Sequence, residues 1–248
     1  MHRFFVDRSQ VNDAEVVITG ADVNHIRNVL RMKPGDVFLA ACGDEWEYTC
    51  RIKSVEQNQI VAAIEDAQMP GKELRSQIFL FQCLPKSDKM DLIVQKAVEL
   101  GAYAVVPVQA ERSVVRYDAK KAAKRVERWN AIAESAAKQA KRMIIPQVTE
   151  IQSFSELFSF AEAQEIRVCL MPYELAENMG ETRQFLESIR PGERIGVLVG
   201  PEGGFAPSEA EQAIAHGFHS ITLGKRILRT ETAGLAALSI LMYLLEDA

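Results

Sequence analysis

The sequence lacks the features that mark several protein classes. Its four cysteines form no Cys-X-X-Cys pair and none has a histidine nearby, which excludes a disulfide scaffold and disfavours a zinc site. We therefore expect buried thiols, a reducing cytoplasm and no bound metal. The most apolar stretch, residues 235–245, is too short to cross a bilayer, so it predicts a buried helix and no membrane segment.

Charge is unevenly distributed along the chain. The net charge is −5 and 48% of the 248 residues are hydrophobic, as in an ordinary globular protein. Residues 110–145, however, contain ten basic and four acidic residues. Such a basic stripe indicates either a polyanion-binding surface or a solvated helix face, and composition leaves both open. The basic residues are Arg112, Arg116, Lys120, Lys121, Lys124, Arg125, Arg128, Lys138, Lys141 and Arg142.

The first 70 residues predict a small β-rich domain with one helix. Alternating apolar residues and turn signals predict strands at 15–19, 36–41, 46–52 and 59–64. A short helix is expected at 22–31, with Ile26, Val29 and Leu30 on one face. Residues 69–72 look like a linker, so we place the domain boundaries at 1–70 and 74–248.

From residue 77 onward, near-continuous apolar strands alternate with helices. This pattern predicts an α/β domain with a parallel sheet covered on both faces. A capping box of Ser208 and Glu211 is expected in the helix at 207–216, and Thr230 or Thr232 is expected to cap the last helix. The predicted strands are 78–83, 104–108, 167–171, 195–199 and 220–223, and the helices are 88–100, 120–142, 182–188, 207–216 and 231–245.

Two motifs follow predicted strands and point to a ligand site. One is GPEGGF at 200–205, and the other is LGKRILRTETAG at 223–234. Ligands of open α/β sheets bind at the carboxyl ends of the strands, and glycines there let the backbone approach a ligand. The absence of a Gly-Lys-Ser/Thr run disfavours a phosphate loop, and Glu202 suits a cationic or amino-bearing ligand better.

These two motifs resemble the cofactor-binding half of the SPOUT class of methyltransferases. Further matching runs narrow the likeness, so that nearly the whole chain is similar to the bacterial 16S rRNA uridine-N3 methyltransferase family. Those runs are NHIRNVLRM at 24–32, KSDKM at 86–90, QKAVELG at 95–101 and ERS at 111–113.

The resemblance implies a fold, a cofactor and partners. The expected fold is a SPOUT parallel sheet with a C-terminal trefoil knot, preceded by a PUA-like RNA-binding β-barrel. The expected cofactor is S-adenosylmethionine, held by three loops of the knot. The expected partners are 16S rRNA in the 30S subunit and a second copy of the chain, with the site built across the homodimer interface.

The resemblance also implies residue roles. Arg229 and Glu231 are the candidates for catalysis, with Arg229 expected to orient the phosphate or the base. The cofactor-binding candidates are Met171, Pro172, Leu198, Val199, Gly200, Glu202, Gly203, Gly204, Leu223, Gly224, Ile227, Leu228, Thr232 and Ala233. The RNA-binding candidates are Arg8, Arg27, Arg31, Lys86, Arg112 and Arg142.

The chain departs from the family pattern at one place. The family usually carries a run like EQSGR here, whereas this chain reads KQAKR at 138–142, with Lys141 where glycine is usual. A lysine at this position affects the expected conformation of the turn and any contact between this loop and the cofactor.

Two other functions stay open at this point. A second SPOUT enzyme type, acting on tRNA or on a ribose 2′-oxygen, shares the C-terminal motifs, although the N-terminal domain argues against the ribose enzymes. A non-catalytic ribosome-assembly factor would keep the fold, but the intact GPEGG and LRTETA segments argue against it.

Overall fold

The protein consists of two compact units in a computed structural model that describes residues 1–44 and 46–246. One unit comprises residues 1–73 together with 137–145, and the other comprises 74–136 and 146–248. No helix within the described ranges is both long and apolar enough to cross a membrane.

The first unit is built on a five-stranded sheet with the strand order β1-β3-β4-β5-β2. β1 and β3 run parallel, and the other neighbours run antiparallel. Apolar side chains from all five strands form one core beneath the sheet. The strands are β1 Arg3–Phe5, β2 Glu15–Thr19, β3 Val37–Ala41, β4 Glu47–Val55 and β5 Gln59–Gln68.

The helix of the first unit differs from its prediction. α1 (Ala21–Asn24) continues as a π-helical turn (His25–Val29), in which the Leu30 N–H bonds to the His25 carbonyl at 2.9 Å. The wider turn shifts the side-chain period away from 3.6 residues. Ile26 is therefore buried and Leu30 packs against the core, whereas Val29, which was predicted on the same face, is 62% exposed.

The second unit is built on a parallel seven-stranded sheet. Its strand order is β12-β10-β11-β6-β7-β8, and β9 also pairs with β7. The parallel sheet predicted from the apolar runs is confirmed. The strands are β6 Gln77–Cys83, β7 Ala104–Gln109, β8 Gln147–Val148, β9 Gln152–Ser153, β10 Val168–Pro172, β11 Arg194–Val199 and β12 Phe218–Ile221.

Helices connect the strands of this sheet, and one of them was not predicted. The unpredicted helix, α4, packs Leu157 and Phe158 into the core. The others lie within a few residues of their predicted bounds. The helices are α2 Lys89–Glu99, α3 Ala119–Ala140, α4 Glu156–Ala163, α5 Met179–Ser188, α6 Pro207–Ala215 and α7 Thr230–Leu245.

The last segment of the chain crosses back over the sheet. β12 lies at the sheet edge beside β10, whereas α7 packs against α2, β11 and β6. This return brings the start of α7 next to the carboxyl end of β11. The trefoil threading of this segment stays a prediction.

Candidate functional site

A cavity of about 820 Å³ opens at the carboxyl ends of β10, β11 and β12. The loops that follow these three strands form its walls, as expected for an open parallel sheet. The lining residues are Pro172, Tyr173, Glu174, Ala176, Glu177, Met179, Val199, Gly200, Pro201, Glu202, Gly204, Phe205, Thr222, Leu223, Gly224, Lys225, Arg226, Ile227, Leu228, Arg229, Thr230 and Ala233.

Glycines shape two walls of the cavity. Gly204 has a φ of +67° and its N–H bonds to the Pro201 carbonyl at 2.9 Å, which closes the turn of the GPEGGF loop. Gly224 has a φ of +109°, and a Cβ built on it would meet nothing within 4 Å. Both conformations favour glycine, and Gly224 presents its backbone to the open space of the cavity.

Thr230 ties the two motifs together. Its hydroxyl donates to the Gly200 carbonyl at 2.6 Å and accepts from Gln82 Nε2 at 2.8 Å. The prediction that Thr230 or Thr232 caps α7 is wrong, because Arg229 occupies the N-cap position and makes no side-chain cap bond. Thr230 is instead buried, where its hydroxyl joins the start of α7 to the loop after β11 and to the end of β6.

Lys89, at the start of α2, forms ion pairs with the same two motifs. Its Nζ lies 2.9 Å from Glu202 Oε1 and 3.1 Å from Glu231 Oε2. Hydrogen bonds to Glu202 and Glu231 raise the pKa of Lys89. Burial raises the pKa of Glu202, but hydrogen bonds from Lys89 and from backbone N–H groups outweigh it, so this pKa lies below its usual value. Sequence reasoning missed Lys89, because its motif gave no sign of its partners.

Glu209 and Arg112 connect the loop after β7 to the loop after β11. The buried Glu209 carboxylate accepts from the Glu111 N–H at 2.8 Å and from the Ala206 N–H at 3.0 Å. Arg112 Nη1 donates to the Gly203 carbonyl at 3.1 Å. The capping box predicted from Ser208 and Glu211 is therefore wrong: the N-cap of α6 is Ala206, two residues earlier than that box requires, and Glu209 caps the helix.

The charges around the cavity have both signs. Glu174, Glu177 and Glu202 are among its lining residues, as are the cations Lys225, Arg226 and Arg229. Apolar side chains of Pro172, Phe205 and Leu228 complete the walls. Such a lining suits a ligand with an apolar ring, hydroxyls and a zwitterionic end.

Ten of the fourteen predicted cofactor-binding residues line this cavity. The other four do not. Met171 and Leu198 are fully buried in the core of the sheet, and Thr232 is exposed on α7. Gly203 faces Arg112, since a Cβ built on it would lie 3.3 Å from the Arg112 Cβ.

The two predicted catalytic residues have different surroundings. Arg229 is exposed and lines the cavity. Glu231 is not among the lining residues, and its side chain, 16% exposed, is paired with Lys89.

Most of the predicted RNA-binding residues lie at the surface. Arg8, Arg27, Arg31, Lys86 and Arg112 are all exposed. Arg142 is the exception within this set. Its guanidinium is buried in the first unit, where its Nε donates to both carboxylate oxygens of Glu73 at 2.8 and 3.0 Å. Arg142 is thus paired inside the unit, and its contact with RNA stays a prediction.

The cysteines take no part in the site. Burial raises the pKa of Cys50 to about 12 and of Cys169 to about 11, and it also raises that of the fully buried Cys83. Cys42 is only partly buried, so the expectation of buried thiols holds for three of the four. In the described part of the chain, no group of three or more His, Cys, Asp or Glu side chains is placed to hold a metal ion.

The fold and the cavity define an α/β protein that binds its ligand at the carboxyl ends of parallel strands. Residues 72–242 match the family model of the RNA methyltransferase domain, and residues 18–65 match that of the RNA methyltransferase PUA domain. The chain belongs to this family of RNA methyltransferases. The methyltransferase sheet and the N-terminal PUA domain expected from the resemblance are thereby confirmed.

Named relatives match this chain over nearly its full length. The chain is 38% identical to ribosomal RNA small subunit methyltransferase E of Bacillus subtilis, across 98% of this chain and 96% of that protein. It is 35% identical to the Neisseria gonorrhoeae enzyme of the same name, solved with bound S-adenosylmethionine, with a TM-score of 0.84 and 98% of each chain covered. A putative methyltransferase of Legionella pneumophila, also solved with this cofactor, is 28% identical, with a TM-score of 0.82 and 97% and 96% covered.

The cavity of this chain fits such a cofactor. Its volume lies in the range of small-molecule sites, about 300–1,000 Å³. The apolar wall at Phe205 and Leu228 suits a purine, and the backbone beside Gly224 can approach it closely. Carboxylates and cations in the lining suit the hydroxyls and the charged amino-acid end of the molecule.

Proposed function

We propose that this chain transfers a methyl group from S-adenosylmethionine to N3 of a uridine in 16S rRNA of the small ribosomal subunit. The observation that carries the proposal is the cavity between the GPEGGF and LGKRILRTETAG loops, with Arg229 at its wall, in a chain of the RNA methyltransferase family. The names of the relatives support the small-subunit substrate.

The proposed cofactor site uses the residues that line the cavity. When bound, S-adenosylmethionine supplies an electrophilic methyl group on a sulfonium. Leu228 and Phe205 would pack against the adenine, while the backbone at 199–200 and 223–224 would bond its edge and the ribose. Met171 and Leu198 would support these loops from the core. The other proposed contacts are Pro172, Glu202, Gly204, Ile227 and Ala233.

The reaction forms a bond from uridine N3 to the methyl carbon and breaks the carbon–sulfur bond. The N3–H proton must leave, because the neutral nitrogen is a poor nucleophile. Arg229 carries a permanent positive charge and stands at the cavity wall, so it would stabilise the uridinate while the proton passes to solvent. Its planar guanidinium also suits a uracil carbonyl or the neighbouring phosphate, which would hold N3 in line with the methyl group.

Surface cations would bind the RNA backbone. Lys86 and Arg112 are exposed on loops at the carboxyl ends of β6 and β7, on the edge of the sheet that carries the cavity. In the PUA unit, Arg8, Arg27 and Arg31 are exposed as well. Such contacts to phosphate supply affinity and register without reading the base.

A second copy of the chain is part of the proposal. Ile240, Tyr243 and Leu244 expose apolar surface on α7, and Leu92 does so on α2, which packs against it. Exposed apolar surface of this kind favours association. Light scattering tests this: a single species of twice the chain mass supports the homodimer, and a monomer contradicts it.

The experiment that tests the function offers several substrates in parallel. Purified protein is incubated with S-adenosylmethionine labelled on the methyl group and with naked 16S rRNA, unmodified 30S subunits or tRNA. We expect label in the 30S subunits. Label only in tRNA, or on a ribose, would favour a different RNA methyltransferase. A protein that binds 30S subunits but neither binds the cofactor nor transfers label would be an assembly factor.

A further inference from the structure

One ammonium group contacts both of the sequence motifs whose loops form the cavity walls. Lys89 Nζ lies 2.9 Å from Glu202 in the GPEGGF loop and 3.1 Å from Glu231 in the first turn of α7. The three side chains are largely shielded from solvent, with exposed fractions of 26%, 24% and 16%. Two carboxylates that share one cation would repel each other without it, and this repulsion is strongest where water is scarce.

The backbone around this cluster is fixed by further bonds. Glu202 also accepts from the Lys86 N–H, at 3.1 and 3.3 Å for its two oxygens, so its carboxylate is turned toward the start of α2. α2 itself packs along α7. Lys89 therefore connects the loop after β11 and the start of α7 to a helix that is held in place on its own.

We propose that Lys89 is a positioning residue, whose ammonium holds the GPEGGF loop and the start of α7 at the separation that the cofactor requires. Glu202 and Glu231 are its two anchors. Glu231 then serves the geometry of the site and is not the proton acceptor. The inference rests on the proposed function, since it assigns these residues a role toward the cofactor named there.

Two features of Glu231 support an anchoring role. Its side chain is not among the lining residues of the cavity, and one of its oxygens contacts Lys89. Arg229, two residues earlier, does line the cavity. Fixing the first turn of α7 through Glu231 thus also fixes the direction from which Arg229 reaches the substrate.

The first test compares three variants of α2. Lys89→Met removes the charge at similar length, and Lys89→Arg keeps it. Lys96→Met is the matched control, because Lys96 forms a similarly exposed pair with Glu99 on the same helix, at 2.8 Å. The measurements are the Kd for S-adenosylmethionine by calorimetry, hydrogen exchange of residues 200–206 without ligand, and the melting temperature.

We expect Lys89→Met to raise the Kd about tenfold and to speed exchange at 200–206, which is the scale of a coupled charge pair. Lys89→Arg and Lys96→Met should stay within about threefold of the wild-type Kd, because the cation or the site is preserved. The melting temperature of Lys89→Met should fall more than that of Lys96→Met, because it leaves two shielded carboxylates facing each other. An unchanged Kd and unchanged exchange in Lys89→Met would overturn the inference.

The second test distinguishes whether Glu231 anchors Lys89 or acts as the general base. Glu231→Gln relieves the repulsion that Lys89→Met creates, so the double variant should recover part of the affinity. Glu231→Gln alone should raise the Kd for the cofactor and lower kcat by less than about tenfold, whereas loss of a general base costs about 100-fold or more in kcat. Such a loss at unchanged Kd would make Glu231 the proton acceptor and overturn its role as an anchor. A wild-type protein that does not bind the cofactor would instead refute the proposed function itself.

Discussion

At the scale of single residues, Lys141 stands where the family usually has glycine, and its backbone is left-handed. Its φ is +57°, and the Arg142 N–H bonds to the Ala137 carbonyl at 2.9 Å. This geometry is the Schellman ending of α3, with Lys141 at the C′ position that favours glycine. Lysine thus occupies, in a left-handed conformation, a position where glycine would adopt the same turn without strain.

Lys141→Gly should stabilise the protein. A left-handed residue with a Cβ is strained by about 1–2 kcal/mol, and the greater freedom of glycine in the unfolded chain offsets about 0.5–1 kcal/mol of the relief. We expect a net gain of about 0.5–1 kcal/mol in the free energy of unfolding, measured in urea. Lys124→Gly, exposed in the interior of the same helix, should lose about 1 kcal/mol. A loss in both variants would contradict this account of the turn.

Arg142, which the resemblance implies as an RNA contact, pairs with Glu73 in this structure. Arg142→Ala leaves the Glu73 carboxylate largely buried without its cation, although this carboxylate still accepts from the Met143 N–H. We expect a loss of about 2–4 kcal/mol in the free energy of unfolding. Arg167→Ala, an exposed arginine, is the control and should change stability by less than about 0.5 kcal/mol. A stable Arg142→Ala protein with weakened RNA binding would restore the original assignment.

Arg229→Ala tests the proposed role in stabilising the uridinate. Removing one such donor typically lowers kcat about 100-fold or more, while the Kd for the cofactor should change less than about threefold, because backbone groups and apolar walls hold it. Single-turnover kinetics and calorimetry measure the two quantities. Equal losses in both would assign Arg229 to cofactor binding. Arg183→Ala, on α5 and outside the cavity lining, should match wild type in both.

At the scale of elements, carboxylates hold the loops at the edge of the sheet. Glu209 bonds the loop after β7 to the start of α6, and Glu202 bonds the start of α2 to the loop after β11. Most strands and the two motif loops could be predicted, because continuous apolar runs and glycines are local signals. The short strands β1, β8 and β9 were not predicted. The carboxylate partners could not be predicted, since they join residues about 100 positions apart. The helix α4 was not predicted either, although Phe154, Leu157, Phe158 and Ala161 have the i, i+3, i+4, i+7 spacing of a buried helix face.

Glu209→Gln should weaken this connection. A carboxylate accepts both N–H groups, whereas the amide nitrogen of glutamine cannot accept, so one buried donor is left without a partner. The cost should be about 1–3 kcal/mol of stability, measured by urea unfolding. Glu211→Gln, exposed on the same helix, should be near neutral. Equal stability of the two variants would show that Glu209 does not hold the loops.

At the scale of the whole molecule, ion pairs neutralise part of the positive charge in the basic stripe at 110–145. Arg125 and Arg128 pair with Asp88 and Asp91, and Lys138 pairs with Asp22. By contrast, Lys120 and Lys124 are exposed and have no ion pair among the described residues. The sequence alone could not show which cations of the stripe are paired, because the acids that pair with them lie on other elements. It also gave no sign that residues 137–145 join the first unit.

The division of the stripe predicts a difference in RNA binding. Lys120→Gln with Lys124→Gln should reduce the salt dependence of 30S binding, by about 0.7–0.9 in log–log slope for each phosphate that the protein no longer neutralises. Lys121 and Arg128 are both paired, with Asp118 and Asp91. Lys121→Gln with Arg128→Gln therefore removes the same number of charges from paired positions and should change the slope less. Filter binding across a salt series measures both. Equal slopes in the two double variants would show that ion pairing does not decide which cations meet the RNA.

The most direct measurement identifies the product. Unmodified 30S subunits are incubated with the protein and trideuteromethyl S-adenosylmethionine, the rRNA is digested, and the nucleosides are analysed by mass spectrometry. The account predicts trideuterated 3-methyluridine, absent when Arg229→Ala replaces the wild type in a short incubation. A label on another base or on a ribose 2′-oxygen, with the cofactor bound, would contradict the proposed position of methylation.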